Sequence, residues 1–581
     1  MRIIKELNKR VNELVKDLDF DEELSIVTSA RPDLGDFQIN NSMNLAKKFQ
    51  KNPREIAESI VKELEKDEAL KDINIAGPGF INFSLTDEFL EEVINRISDN
   101  IENNIDKVSS KKIIMDYGGA NVSKALHVGH LRSANIGEAL KRLARLLGCN
   151  VISDAHLGDF GRPLGLVILE IKKRFPDLEF FNENYEGDYN NIDLPITNAD
   201  LEEIYPYASA KAKEDETYLE EAREITLKLQ KHEKGYYELW QKIIGISKED
   251  IKKVYDELNV DFDLWEGESD AAEYIEDTIK VFEDKNLVKE SEGAKIIEVK
   301  KEDDKLPMPP LLLVKSNETV SYETTDLATI YERMKKFNPD EIWYLTDERQ
   351  TLHFEQVFRA ARLGEIVNNN TVLEFIPFGT MNGKDGKPFK TRDGGVMTLK
   401  ELMQLIYVET DKRINEEIVE ENKREQTAKD IAISSLKFAD LLPFRRTDYV
   451  FDPDKFADLD GKTGAYLLYS TIRIKSLLNK AEGIDYEKIT KISGAADRKI
   501  MLMLLEMPKV LEKAYSVKSL NDICEYVYNL IATYNSFYAE NKIITCPDKD
   551  LQTSWLALSS VVYKTVILLL DILGMNIPEK M

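Results

Sequence analysis

The chain has 581 residues, which exceeds the size of one compact core and indicates about three or four domains. A hydrophobic content of 43% and a charged content of 32% are typical of a soluble globular protein and exclude disordered and fibrous classes. The net charge of −27 is opposite in sign to the positive charge that most nucleic-acid-binding proteins carry. However, residues 461–581 carry 15 Lys and Arg against 13 Asp and Glu, so a local basic face is compatible with the composition.

The N-terminus and the cysteines favour a cytoplasmic protein. The stretch "MRIIKELNKRVNELVKDLDF" interleaves charged and apolar residues at helical spacing and lacks the apolar core of a secretory signal. No apolar run approaches the ~20 residues of a membrane span, so no membrane association is expected. Cys149, Cys524 and Cys546 are far apart and form no CxxC pair, which argues against a disulfide framework and a structural zinc site.

Residues 1–107 read as a small α+β domain. Helical periodicity comes first, and Asn52 followed by Pro53 suits an N-cap and the first turn of a helix. The later stretch "INIAGPGFINFSL" alternates apolar and polar residues around a Gly-Pro-Gly break, which predicts two strands joined by a turn.

Residues 108–400 follow an α/β pattern. "KKIIMDY" is a candidate buried strand, "GGANVSKALHVGH" is a loop, and the next segment carries an apolar helical stripe that ends at Gly148. "NVIS" then provides a second strand, so the unit is βαβ. This unit predicts a parallel sheet with a ligand site at the carboxyl ends of its strands.

The rest of the chain is mostly helical. Residues from about 170 to 255 are acidic and Tyr-rich and look like a helical insertion into the α/β domain, after which "AKIIEVK", "PPLLLVKS" and "EIWYLTD" read as strands. We divide the remainder into a helical connector, 401–460, and an all-α domain, 461–581.

Two of the five histidines, His127 and His130, lie three residues apart in "HVGH" before the helix. A metal site needs further ligands at usable spacing, and no acidic residue follows until Glu138, so we predict no metal. A satisfied structural histidine is the usual alternative, but a third histidine, His156, follows the next strand. Phosphate binding fits best, because a helix N-terminus attracts anions and imidazole N–H groups at i and i+3 share one face. Gly129 would admit a flat ring such as adenine.

A triphosphate needs a second binding feature, and the P-loop pattern is absent. The segment "GTMNGKDGKPFKTRDGG" combines glycines with four cations in an otherwise acidic half of the chain: Lys384, Lys387, Lys390 and Arg392. Although a solvated basic turn is the plain alternative, this composition suits a mobile clamp on phosphates. Lys124, just before the histidines, adds a further positive charge.

These residues carry a family resemblance. "HVGH" resembles the HIGH motif of class I aminoacyl-tRNA synthetases, and "GKPFKT" resembles their KMSKS loop. The ordered series "HLGDFG", "YETTDLA", "DERQTLHFEQVF", "RRTDYVFD" and "GKTGAYLLYSTIRIKSLL" is similar to arginyl-tRNA synthetases. The chain departs from the family pattern in "KPFKT" and at Phe160, Arg162 and Pro163. The resemblance implies a Rossmann-type catalytic domain with a helical insertion, an N-terminal tRNA-elbow domain and an all-α anticodon-binding bundle.

The resemblance also implies the reaction. Arginine and ATP, as its Mg²⁺ complex, give arginyl-adenylate and pyrophosphate, and arginine then passes to the 3′ end of tRNA(Arg). The arginine carboxylate is already a nucleophile, so catalysis consists of positioning and charge stabilisation. No tightly bound cofactor is implied, and we expect a monomer.

Site residues follow from the same resemblance. The catalytic set is His127, His130, Lys387 and Lys390. The ATP-binding set is Lys124, Gly129, His156, Gly158, Asp159 and Thr391. The arginine-binding set is Asp116, Asn121, Tyr322, Asp326 and Gln350, and the speculative tRNA contacts are Phe37 and Gln38.

Two other readings stay open at this point. A compact HxGH nucleotidyltransferase would leave the first hundred and last hundred and twenty residues unexplained. A synthetase-like tRNA-binding protein without catalysis would be favoured by degraded histidines or lysines, but both pairs are intact in this chain.

Overall fold

The computed structural model describes residues 2–29, 31–317, 319–384, 386–387, 397–414, 418–452 and 461–581. Its elements fall into an N-terminal α+β unit, a parallel sheet with helical and antiparallel additions, and a helical C-terminal part.

The N-terminal unit is a four-stranded antiparallel sheet of order β1-β2-β4-β3, with helices packed against it. The predicted helix start at Asn52 is confirmed, since its side chain accepts the Arg54 N–H and Pro53 occupies the first turn. The elements are α1 (Arg2–Leu14), β1 (Ile26–Thr28), β2 (Phe37–Ile39), α2 (Ser42–Phe49), α3 (Pro53–Leu64), β3 (Leu70–Ala76), β4 (Phe80–Leu85) and α4 (Asp87–Asp99).

The predicted βαβ unit is confirmed. Strand β5 (Lys112–Asp116), helix α5 (Val128–Leu146) and strand β6 (Asn150–Asp154) form it, and the two strands are parallel with Asp116 opposite Asp154. The inner residues of β5 are fully buried, as expected of a strand covered on both faces.

A second parallel pair completes this sheet. Strands β10 (Glu341–Asp347) and β11 (Val372–Phe378) flank α12 (Thr351–Leu363), and the sheet order is β11-β10-β5-β6. The chain therefore winds outward in opposite directions from the β5–β10 boundary. A boundary of this kind forms a crevice at the carboxyl ends of the strands, where ligands bind in open α/β sheets.

Between β6 and β10 the chain builds two additions. The first is helical: α6 (Arg162–Arg174), α7 (Asn198–Glu214), α8 (Glu216–Gln230) and α9 (Lys234–Glu257). The second comprises α10 (Ile275–Asp284), a separate antiparallel sheet of β7 (Val288–Ser291), β8 (Ala294–Ile297) and β9 (Leu311–Val314), and α11 (Tyr322–Phe337). "AKIIEVK" and "PPLLLVKS" thus belong to this small sheet, and only "EIWYLTD" joins the parallel one.

After β11, the short strands β12 (Met381–Asn382) and β13 (Tyr449–Val450) pair in parallel across a long connection. The helices are α13 (Leu399–Asp411), α14 (Glu421–Leu441), α15 (Gly464–Lys480), α16 (Ala495–Val517), α17 (Asn521–Glu540) and α18 (Lys549–Ile572). Helix α18 is long and apolar enough to cross a membrane, but 67% of its most apolar window is buried in the protein. It packs against α4, α5 and the bundle helices α15 to α17, as a core helix does.

Candidate active site at the carboxyl edge of the parallel sheet

The two histidines cap helix α5 with their rings. His127 is the N-cap residue, and its Nδ1 accepts the Gly129 N–H at 3.0 Å, while His130 Nδ1 accepts the His127 N–H at 3.0 Å. The ring centroids lie 4.0 Å apart. Because each Nδ1 is an acceptor, the hydrogen-bond network assigns the proton of each neutral ring to Nε2.

Both rings are neutral at physiological pH. Burial, and then the neighbouring His127, lower the pKa of His130 to about 3. Partial burial and the charge of Lys124 also lower the pKa of His127. The pair can therefore offer two Nε2–H donors to an anion without carrying charge themselves.

Gly129 is required by the histidine cap. A Cβ at this position would lie 2.8 Å from His127 Cε1 and 2.9 Å from its Nδ1. A side chain there would displace the His127 ring, so glycine has a role in this structure that does not depend on adenine.

Four charged groups, two of them buried and two partly buried, meet at the ends of β5 and β6. Arg333, from α11, donates through Nη2 to Asp116 Oδ2 at 2.7 Å and to Asp154 Oδ2 at 2.8 Å. His156 Nδ1 lies 3.2 Å from Asp154 Oδ2. Burial alone would lower the pKa of His156, but the hydrogen bond to Asp154 raises it to about 9, so this ring is charged at neutral pH.

This cluster contains the described residues closest to a metal-ligand set. Ligand atoms of Asp116, Asp154 and His156 lie within 4.8 Å of one another. The Arg333 guanidinium already supplies the positive charge that balances the two carboxylates. Asp116, a member of the expected arginine-binding set, is thus ion-paired with Arg333, and burial raises its pKa.

The loops after β5 and β6 lie in direct contact. Gly158 exchanges backbone hydrogen bonds with Ala120 and Val122, both at 3.0 Å, and a Cβ at Gly158 would lie 2.2 Å from Asn121 Oδ1. Asp159 is buried and accepts hydrogen bonds from the Ser269 backbone at 2.9 Å and hydroxyl at 2.6 Å. These contacts give Gly158 and Asp159 structural roles.

The departures from the family pattern after Asp159 suit the start of α6. Gly161 has φ of 90°, a conformation that favours glycine, and the helix begins at Arg162 with Pro163 in its first turn. Proline is tolerated at this position because the first helical N–H groups have no acceptor within the helix.

Asp326, on the second turn of α11, is paired with a histidine that sequence analysis did not single out. The His353 Nε2 of α12 hydrogen-bonds to Asp326 Oδ2. Burial lowers the pKa of His353, but this hydrogen bond and the Asp326 charge raise it overall. Tyr322 begins the same helix, is 59% exposed, and has Lys315 Nζ 5.8 Å from its ring centroid. Gln350 is exposed, in a short 3₁₀ turn directly after β10.

Glu268 is a second carboxylate near Asp326 that sequence analysis missed. Burial, and then the charge of Asp326, raise its pKa to about 7. Its segment is held in place because the Glu268 N–H donates to Leu157 O at 3.0 Å. Nothing in "WEGESD" distinguishes this glutamate from its acidic neighbours, whereas His353 could have been found as a further histidine within "DERQTLHFEQVF".

The cationic segment ends beside the histidine pair. Its near end forms a turn in which the Gly383 N–H donates to Lys387 O at 2.7 Å. At its far end, Leu399 N donates to Leu126 O at 2.7 Å, and Thr398 forms a β-bridge with His127. Lys390, Thr391 and Arg392 lie outside the described residues. Lys124 stacks over the ring of Tyr205, with Nζ 4.6 Å from its centroid.

The two speculative tRNA contacts on β2 differ in exposure. Phe37 is 2% exposed and stacks on Phe83 at 5.8 Å, so the expectation that its ring contacts tRNA is wrong. Side chains alternate between the two faces of a strand, and Phe37 faces the core. Gln38 is half-buried and donates to Asn82 Oδ1 at 2.8 Å.

Comparison with known proteins agrees with this geometry. Residues 92–453 match the family model "tRNA synthetases class I (R), catalytic domain". Residues 1–85 match "Arginyl tRNA synthetase N terminal domain", and residues 467–581 match "DALR anticodon binding domain".

Relatives and solved structures span the whole chain. It is 42% identical to "Arginine--tRNA ligase" of Alkaliphilus oremlandii and 41% identical to that of Agathobacter rectalis, each over 100% of both chains. Two solved arginyl-tRNA synthetase structures share the fold with a TM-score of 0.79 each, and both matches cover 100% of this chain. The one from Plasmodium falciparum is 23% identical, with 99% of its own chain matched. The one from Thermus thermophilus is 19% identical, with 100% of its own chain matched. The chain belongs to the arginyl-tRNA synthetase family of class I aminoacyl-tRNA synthetases.

Proposed function

We propose that the chain is an arginine–tRNA ligase, which activates L-arginine with ATP and transfers it to tRNA(Arg), and that the residues at the carboxyl edge of the parallel sheet carry the reaction. The single observation that carries this proposal is the pair of neutral imidazoles at the start of α5, in backbone contact with the far end of the cationic segment. The imidazole pair suits the α-phosphate of ATP, and the cationic segment suits the β- and γ-phosphates.

The arginine carboxylate attacks the α-phosphorus in line, and pyrophosphate leaves. His127 and His130 donate Nε2–H to the phosphoryl oxygens as negative charge develops there. We assign Lys387 and Lys390 to the pyrophosphate end, and Thr391 and Lys124 to ATP binding. We keep Gly129 as the position at which adenine approaches the backbone, and the charged His156 adds to the positive potential at the end of β6.

A guanidinium substrate requires carboxylates and neutral acceptors, because it presents five donors and no acceptor. Asp326 and Glu268 supply the carboxylates, and His353 orients Asp326. Tyr322, four residues before Asp326 on α11, is assigned to the same guanidinium. Asp116 and Asn121 remain our assignments for the ammonium and carboxylate region of the substrate, and Gln350 is a further arginine contact.

Mg²⁺ accompanies ATP in our proposal and is held by its phosphates and water. Such a site needs few protein ligands. The tightest acidic cluster in the described part of the chain is already balanced by Arg333, so it is not a separate Mg²⁺ cage.

The tRNA binds across the molecule, with the bundle of 461–581 at the anticodon. The α15–α17 face supports this assignment, because Arg473 lies 5.9 Å from the Tyr469 ring centroid and 5.2 Å from that of Tyr538, and Tyr469 is 42% exposed. Aromatic rings beside cations stack unpaired bases. Residues 1–107, through Gln38, contact the tRNA elbow.

We further propose that the enzyme is a cytoplasmic monomer that does not bind membranes.

Amino-acid-dependent exchange of pyrophosphate into ATP tests this function. With tRNA present, we expect exchange with arginine and not with lysine or citrulline, which have a different charge geometry or no charge. Exchange with another amino acid would refute the arginine assignment, and tRNA binding without any exchange would refute the enzymatic one.

A further inference from the structure

Arg132, one turn into helix α5, is a buried arginine that has no place in the reaction described above. Its side chain is 1% exposed. Nη1 donates to Gly379 O at 2.9 Å and to Thr447 O at 3.1 Å, and Nε lies 3.1 Å from Asp440 Oδ1. The guanidinium therefore joins the histidine-bearing helix to three separate segments.

Two of these segments form the base of the cationic segment that contains Lys387. Gly379 leads into β12, and Thr447 leads into β13. The two strands are joined by hydrogen bonds from Tyr449 N to Thr380 O at 3.1 Å and from Phe451 N to Asn382 O at 2.8 Å. Directly after β12 comes the turn that ends at Lys387. The position of Lys387 relative to α5 thus depends on how this strand pair is attached to the helix.

The carboxylate that faces Arg132 is itself fixed. Asp440 of α14 is fully buried and accepts hydrogen bonds from Tyr449 OH at 2.8 Å and from Asn135 Nδ2, also of α5, at 3.2 Å. The Arg132 guanidinium carbon lies 5.0 Å from the Tyr449 ring centroid. The planar fork of an arginine can reach two carbonyls and a carboxylate together, whereas the single ammonium of a lysine cannot.

We propose that Arg132 is a positioning residue, which fixes the β12–β13 strand pair, and with it Lys387, relative to the histidine pair so that Lys387 and the histidines face one ATP. It acts through the β12–β13 base and touches no substrate. This inference rests on the proposed function, because Lys387 and the histidines are assigned to ATP there.

The test measures steady-state ATP–pyrophosphate exchange of the full-length chain at saturating tRNA. Arg132→Lys keeps the charge and loses the fork, and we expect kcat/KM for ATP to fall on the order of 10–100-fold while KM for arginine stays unchanged. Tyr449→Phe, which removes only the hydroxyl on Asp440, should change the same constant in the same direction by less.

Arg498→Lys is the matched control. Arg498 also joins a carboxylate, Asp87 at 2.6 Å, to a backbone carbonyl, Leu85 O at 2.7 Å, but it lies between the N-terminal unit and α16. Arg498→Lys should leave kcat/KM for ATP and KM for arginine unchanged. If Arg132→Lys does not fold, Tyr449→Phe takes its place in every comparison.

A double-mutant cycle with Lys387→Ala separates positioning from general destabilisation. If Arg132 acts through the loop, Arg132→Lys in the Lys387→Ala background should lower kcat/KM for ATP by much less than in the wild type. The proposal would be overturned if the effects of Arg132→Lys and Lys387→Ala on kcat/KM for ATP were additive. It would also be overturned if Arg132→Lys changed KM for ATP and KM for arginine equally. Absence of exchange in the wild-type chain would instead overturn the proposed function.

Discussion

At the scale of single residues, the backbone determines which nitrogen of each histidine carries the proton. The Nδ1 atoms of His127 and His130 each accept a hydrogen bond from a backbone N–H group, and burial keeps His130 neutral. A neutral donor stabilises charge that appears in the transition state without binding the ground state by strong ionic attraction. The helix cap and the proposed phosphate site are therefore formed by the same two rings.

Removal of the His130 ring should mainly slow the chemical step. We expect His130→Ala to lower kcat for exchange by about 10²–10³-fold, as loss of one oxyanion donor does. His232→Asn is a suitable control, since His232 lies outside this site and has φ of 53°, which Asn tolerates. Equal losses in both variants would refute the role of the pair.

Glu268 should make arginine binding depend on pH. Its pKa of about 7 is raised first by burial and then by Asp326, while the charged His156 opposes the increase and Asp159 adds to it. Below that pH the free enzyme holds Glu268 protonated, and a neutral carboxyl binds a guanidinium less well. We therefore expect kcat/KM for arginine to fall as the pH drops through about 7.

Glu268→Gln tests the source of this pH dependence. The variant should have a lower kcat/KM for arginine at pH 8 and should lose the inflection near pH 7. An inflection that persists in the variant would assign the titration to another group, such as His353, whose pKa is raised by Asp326.

At the scale of elements, close contact between loops explains the glycines around helix α5. Gly129 leaves room for the His127 ring, and Gly158 leaves room for Asn121. Gly158 allows the loop after β6 to approach the loop after β5, whereas Gly129 acts within the start of α5. Backbone contacts of Leu126 and His127 with Leu399 and Thr398 bring the end of the cationic segment to the histidine pair.

Substitution of Gly129 should separate activity from stability. Alanine favours a helix over glycine by about 1 kcal/mol, so Gly129→Ala should not lower the midpoint of thermal unfolding by much. Its Cβ would displace the His127 ring, and we expect kcat for exchange to fall at least tenfold, about 1.4 kcal/mol in activation free energy. Full activity of this variant would show that the His127 position is unimportant.

Local patterns were sufficient to predict elements, and contacts between distant segments were not predictable. The cap at Asn52, the βαβ unit and the histidines at a helix start follow from spacing within a few residues. The partners of the site residues come from distant segments: Arg333 reaches Asp116 across 217 residues, and His353 reaches Asp326 from the next helix. Phe37 was assigned to tRNA because the resemblance carried no information on which face of β2 is buried.

At the scale of the whole molecule, helix α5 links the catalytic sheet to the helical part of the chain. It contacts α13, α14, α16 and α18, while the N-terminal unit contacts the bundle through α4 and Arg498. The bundle thus lies against both other units. Rigid attachment of this kind suits an enzyme that must hold one large ligand at several distant points.

Loss of the Arg498 contacts should loosen the N-terminal unit. Arg498→Ala removes the ion pair of Asp36 and one of the two ion pairs of Asp87, which keeps Lys71, and we expect a loss of about 1–3 kcal/mol in the free energy of unfolding. The midpoint of thermal unfolding should fall, and KM for tRNA should rise while KM for ATP stays constant. A rise in KM for ATP would contradict the separation between this contact and the active site.

Transfer of radiolabelled arginine to tRNA tests the central claim most directly. We expect arginine to become bound to tRNA with an intact 3′-terminal ribose and not to tRNA whose ribose has been oxidised with periodate, and we expect His130→Ala to reduce the rate. Transfer of a different amino acid, or no transfer of arginine by the folded wild-type chain, would contradict the account.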